Sequence, residues 1–201
     1  STAALAIGAI LGALLARGTQ LDDANLLGAH LVLNVLGWLG GAIVGTLHTF
    51  FPSLTGTRLR FERLQGPTFF GWIGGVWILA AAALLGSDAL AVLGWASLLL
   101  AGVLLATNLI ASLRSQTIPL TAAARIVAFA QLFLPLGLTF ALVATFRDGV
   151  SGPLELPARP WMLWVFVAGW VGLTVAGSLT HLVALLKHVK SIENRLRRPP
   201  A

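Results

Sequence analysis

The amino-acid sequence predicts an all-α, polytopic membrane protein: a six-transmembrane-helix bundle with a weak internal repeat and a cytoplasmic C-terminus. Three observations carry that reading. Of 201 residues, 57% are hydrophobic and only 10% charged, whereas ordinary soluble domains carry about 25% charge. Six apolar segments stand out, at about 3–16, 24–51, 67–85, 90–113, 120–146 and 161–186, and all but the first are long enough to cross a hydrocarbon core of about 30 Å at 1.5 Å per residue. Finally, Lys and Arg gather on alternate loops. One set holds Arg58, Arg60, Arg63, Arg114, Arg125 and the tail residues Lys187, Lys190, Arg195, Arg197 and Arg198, and the other holds only Arg17, Arg147 and Arg159. By the positive-inside rule the basic side is cytoplasmic, and the second helix runs from outside to inside.

The elements follow in order. Segment 3–16 is short for a span, so residues 1–201 are read as one transmembrane domain that is a piece of a longer membrane domain. Asp23 is placed to cap the second helix, and Pro52 is expected to end it in a loop bearing Arg58, Arg60 and Arg63. Gly66-Pro67 opens the third helix, with Pro in the tolerated first turn. Gly86-Ser87-Asp88 is a tight turn, which makes the third and fourth helices antiparallel neighbours. Pro119 opens the fifth helix and Pro135 should kink it. Residues 147–160 form a loop rich in Gly and Pro. Gln131, Asn108 and Thr139 are expected to hydrogen-bond between helices, and Arg125 to snorkel to the interface.

The second and sixth helices repeat one another. Gly37-Trp38-Leu39-Gly40 through Gly45-Thr46-Leu47-His48 parallels Gly169-Trp170-Val171-Gly172 through Gly177-Ser178-Leu179-Thr180-His181. An even number of crossings separates the two, so they run in the same direction. Their small residues allow close approach of another backbone or of a flat ligand.

The chain has no cysteine and no tyrosine. Disulfides, thiolate zinc sites, iron–sulfur clusters and cysteine-ligated copper are excluded, and nucleic acid is not an expected partner, because the basic residues lie in loops and form no basic face on a soluble fold. Imidazole is the strong ligand type that remains. His30, His48, His181 and His188 all fall on two helices, and bis-imidazole ligation from facing helices is how bundles hold b-type haem. Eighteen residues separate His30 from His48, five α-helical turns, so both should leave the same helix face about 27 Å apart. His48 and His181 lie at matching depth and are the expected haem-iron ligands, with Trp38 and Trp170 flanking the macrocycle and Arg58, Arg60, Arg63 or Lys187 facing the propionates. His30 would ligate a second haem or sit at a quinone/quinol site, its partner coming from additional membrane helices, another subunit or a second copy of the chain. His188 reads as an interfacial residue that contacts a propionate. The competing reading for each histidine is a helix–helix hydrogen bond or an interfacial position.

At AHLVLNVLGWLGGAIVGTLHTFFPSLTGTR, and again at GWVGLTVAGSLTHL, the chain resembles the membrane domain of actinobacterial multicopper-oxidase and copper nitrite-reductase proteins. More distantly it is similar to haem–copper oxidase subunit I. Ala29-His30, Gly37-Trp38, Gly45-Thr46-Leu47, Pro52 and Arg58 fall on the first motif, and Gly177-Ser178-Leu179-Thr180-His181 on the second. The resemblance implies a quinol-oxidising, electron-delivering module of the bacterial cytoplasmic membrane that feeds an extracytoplasmic copper or cytochrome partner. The chain has no cupredoxin domain and lacks the histidine set of an oxygen-reducing site, so by itself it should not reduce oxygen. The alternative is a cofactor-free transporter, or an assembly or structural subunit, that uses its intramembrane histidines directly.

Overall fold

The computed structural model describes residues 2–18, 25–115, 119–150 and 164–196, with side chains to residue 193. Every regular element among them is helical: α1 (Thr2–Ala16), α2 (Leu26–Thr55), α3 (Gln65–Leu85), α4 (Asp88–Arg114), α5 (Ala122–Asp148) and α6 (Trp164–Gly172 continuing as Leu173–Leu196). Five are long and apolar enough to cross a membrane, and α1 is a shorter apolar helix of 15 residues.

Local chemistry sets the ends. Asn25, rather than Asp23, caps α2: its side chain accepts from the Gly28 amide at 2.6 Å, the role short polar side chains fill at helix starts; Asp23 lies outside the described residues. The helix does not stop at Pro52. It runs on to Thr55 and ends where Gly56 takes a left-handed conformation (φ 66°), a stop that costs a residue without a Cβ little. Ser87 and Thr121 cap α4 and α5. Pro135 acts as expected: with no N–H to offer Gln131 and a ring that clashes with its carbonyl, it breaks α5 into Ala122–Ala130 and Phe133–Asp148. Thr139 faces outward rather than across a helix seam.

The helices form an up-and-down bundle, and small residues make it tight. On α1, Ala4, Gly8 and Gly12 lie against Gly37, Asn34 and His30 of α2, an antiparallel small-residue seam. Gly75 and Gly94 bring the α3 and α4 backbones into contact: a Cβ on either would lie 3.0–3.1 Å from the other's carbonyl oxygen. Gly137 and Gly169 receive Phe166 and Phe133 between α5 and α6. One helix touches most of the others. α2 meets α1 along that seam, α3 through Trp72, and α6 through Phe50, and it is the most buried of the spans.

Both repeat helices contain a nine-residue π-helical stretch, Val32–Gly40 and Trp164–Gly172. Each ends on Gly-Trp-x-Gly and passes into an α-helix, so the repeat is expressed in backbone geometry. Such wide turns are rare and cluster at functional sites.

Two adjacent glycines test the packing. Gly75→Ala should lower the melting midpoint of the purified protein, because its Cβ would meet Leu98 and the Gly94 carbonyl within 3.0 Å. Gly74→Ala has open space around it and should be neutral or raise stability by up to about 1 kcal/mol. Equal losses at both positions would contradict this account of the α3–α4 seam.

Candidate functional site

His30 is held by α1. Its Nδ1 lies 2.8 Å from the Gly8 carbonyl oxygen, and since a carbonyl only accepts, Nδ1 carries the proton and donates. The Asn34 amide donates to the His30 carbonyl at 2.8 Å. Gly8 and Gly12 leave room for both side chains: a Cβ on Gly12 would lie 2.7 Å from His30 Cε1, and one on Gly8 2.5 Å from Asn34 Nδ2. The partner of His30 within this chain is thus a helix backbone, a role for α1 that the sequence reading did not assign.

His48 is only 7% exposed. Its Nδ1 donates back to the Val44 carbonyl at 2.8 Å, which leaves Nε2 as the acceptor. That Nε2 and Thr68 Oγ1 are the two buried side-chain polar atoms without a hydrogen-bond partner among the described residues. Thr68 lies one turn before Trp72 on α3, the helix that Trp72 ties to α2. Pro52, four residues on from His48, has no N–H to return to the His48 carbonyl.

The equal-face geometry expected of His30 and His48 does not hold. It assumes 3.6 residues per turn throughout, but the stretch Val32–Gly40 lies between them. Each extra residue in a turn rotates everything beyond it by about 100°. The spacing between the two imidazoles is therefore not a whole number of uniform α-turns.

His181 is half-buried on α6, its ring edge-on to Phe50 with centroids 5.6 Å apart. Phe50 lies about 200° round α2 from His48, so α6 packs beside α2 without bringing the two imidazoles face to face. His188, Arg58, Arg60 and Arg63 are exposed. Trp38 is 42% exposed and Trp170 fully buried, so these repeat-related indoles do not bracket a common slot. Trp170 Nε1 donates to Gln131 Oε1 at 3.0 Å and its ring stacks obliquely on Trp72 at 5.4 Å. The Gln131 amide donates in turn to Thr174 Oγ1 and the Val127 carbonyl, and Trp72 Nε1 to the Leu36 carbonyl inside the π-stretch.

Beyond this network, α2 and α6 enclose a groove of about 500 Å³. Its walls are built from matched repeat positions: Ile43 with Val175, Thr46 with Ser178, and Phe50 with Leu182. No set of three or more metal-ligating side chains gathers among the described residues. No family model, characterised protein or solved structure matches the chain.

The unpaired Thr68 hydroxyl was not legible in the sequence, since one threonine in a helix's first turn gives no signal of its own. Gln131→Leu should cost about 1–3 kcal/mol by leaving the Trp170 N–H and Thr174 hydroxyl unpaired. Tryptophan fluorescence should red-shift as water reaches the indole pair. An unchanged emission maximum and melting midpoint would remove this network from the core.

Proposed function

We propose that the chain is a membrane-embedded b-haem electron-transfer module, the quinol-oxidising part of an oxidoreductase that delivers electrons to an extracytoplasmic partner. The observation that carries the proposal is His48: a buried imidazole whose Nδ1–H is fixed by a backbone carbonyl and whose Nε2 has no partner. Metal-bound histidines have this arrangement, since the second hydrogen bond sets the tautomer and raises the basicity of the ligating nitrogen. His48 fits an axial ligand. The pair His48 and His181, as placed, does not span an iron, so the second axial position is assigned by the variants below.

Haem would supply one-electron redox chemistry, and the chain's part is to hold, orient and insulate it. Burial of His48 within one of five apolar spans provides the low-dielectric surroundings. The clustering of Arg58, Arg60, Arg63, Arg114, Arg125, Lys187 and Lys190 at one end of the bundle supports a cytoplasmic C-terminus in a bacterial inner membrane. His30, at the opposite end, is suited to a quinol hydroxyl through its Nε2, since Nδ1 is engaged by the Gly8 carbonyl. The two motifs that resemble copper-enzyme membrane domains favour a copper or cytochrome partner.

The test is a reduced-minus-oxidised visible spectrum of protein produced with ample haem supply. The expected result is a b-type band in the wild type, lost in His48→Ala, partly restored by added imidazole, and unchanged in His188→Ala. His181→Ala and His30→Ala assign the second ligand: the one that also abolishes the band supplies it. A featureless wild-type spectrum, or a band that survives His48→Ala, overturns the proposal and leaves the cofactor-free transporter.

A further inference from the structure

The segment between α2 and α3, at the basic end, is firmly held, and no histidine explains it. Asn108, fully buried near the end of α4, pairs with Phe61 as one peptide pairs with another: its Oδ1 accepts from the Phe61 amide and its Nδ2 donates to the Phe61 carbonyl, both at 3.0 Å. Ser112, one turn along, accepts from the Arg60 amide at 3.0 Å and donates to the Asn108 carbonyl at 2.7 Å. Leu59 is buried below the segment. Alternation along an extended chain then puts Arg58 and Arg60 on the other face, and both are exposed. None of Arg58, Arg60 and Arg63 forms an ion pair with a described residue. Arg60, Phe61, Glu62 and Arg63 line an open concavity of about 720 Å³ at the basic end of the bundle.

From this placement we infer that the Arg60–Arg63 concavity is a binding site for the phosphate-bearing headgroup of an anionic membrane lipid. Guanidinium groups match phosphate oxygens through paired N–H donors. A topology signal needs only charge, and a mobile loop would serve it; this backbone is clamped by two buried polar side chains instead, so its arginines are set in advance. The exposed ring of Phe61 lies where aromatic side chains meet headgroups. Glu62 refuses a bare phosphate but can accept from the hydroxyls of a glycerol headgroup, which favours phosphatidylglycerol.

The inference is independent of haem and is tested on the purified chain in nanodiscs of phosphatidylcholine doped with phosphatidylglycerol, by native mass spectrometry of retained lipid. Arg60→Gln with Arg63→Gln should weaken retention about 25-fold, from roughly five-fold per interfacial arginine. Arg114→Gln with Lys187→Gln removes the same charge from the same end and should change it less than three-fold. Asn108→Ala keeps every arginine but frees the loop, and should weaken retention while circular dichroism shows the helices intact. Equal losses in the two charge-matched pairs would reduce the site to diffuse attraction and overturn it. Protection of the detergent-solubilised protein by inorganic phosphate alone, to the same degree as by the lipid, would overturn the lipid assignment.

Discussion

Within hydrocarbon no water can satisfy a backbone or side-chain polar group, so each must find its partner inside the chain. That constraint organises this bundle. Its few buried polar side chains act as cross-braces: Asn108 and Ser112 hold the loop after α2, Gln131 joins α5 to α6, and the Trp72 indole joins α3 to α2. Their partners are largely backbone carbonyls and amides at helix breaks and wide turns, where the regular ladder leaves groups over. The π-stretch of α2 and the Pro135 break of α5 are thus the points at which these side chains take hold.

The same constraint explains why the internal repeat is strict in the backbone and loose in its surroundings. Gly-Trp-x-Gly closes a π-stretch in both α2 and α6, yet Trp38 faces outward while Trp170 is buried against Trp72 and Gln131. Gly45 has open space, whereas Gly177 is pressed against Val127 and Ala123. α2 is embedded among the other helices and α6 is the least buried span. A shared local geometry has been fitted to two different neighbourhoods, and only in the groove between the helices do equivalent positions face one another.

The helices themselves were legible, because apolar runs and the Pro135 break act locally, while the cap of α2 fell to Asn25 and not to the expected Asp23. Gly56 was harder: Pro52 is the stronger signal for a stop, but a proline in the helix interior removes one hydrogen bond without forbidding the turns that follow. Gln131 was readable as a brace between helices, since polar side chains in apolar spans seldom have another use; Asn108, expected in the same role, holds the loop backbone at Phe61 instead. The shared face of His30 and His48 was not readable. Spacing arithmetic presumes a uniform period, and nothing in VLNVLGWLG announces wider turns. The facing of His48 and His181 failed for a related reason: matched depth on parallel helices says nothing of azimuth, which the packing of Phe50 against His181 sets. The partner of His30 was hidden because Gly8 and Gly12 contribute only the absence of a side chain.

The two histidines of α2 differ in what they hold, and that difference is why the proposal rests on His48. In both, Nδ1 donates to a backbone carbonyl, but His30 reaches across to α1 and so fastens a helix, while His48 bonds back to Val44 on its own helix and fastens nothing. A buried acceptor without a partner costs about 1–3 kcal/mol, and in a core where Asn108, Gln131, Trp72 and Trp170 are all paired, a leucine at position 48 would pack as well without that cost. A purely structural role does not explain the imidazole. Thr68 Oγ1, on α3, is the other buried side-chain polar atom without a partner among the described residues. An axial metal bond to Nε2 is the interaction that would satisfy His48 while using the tautomer that Val44 imposes.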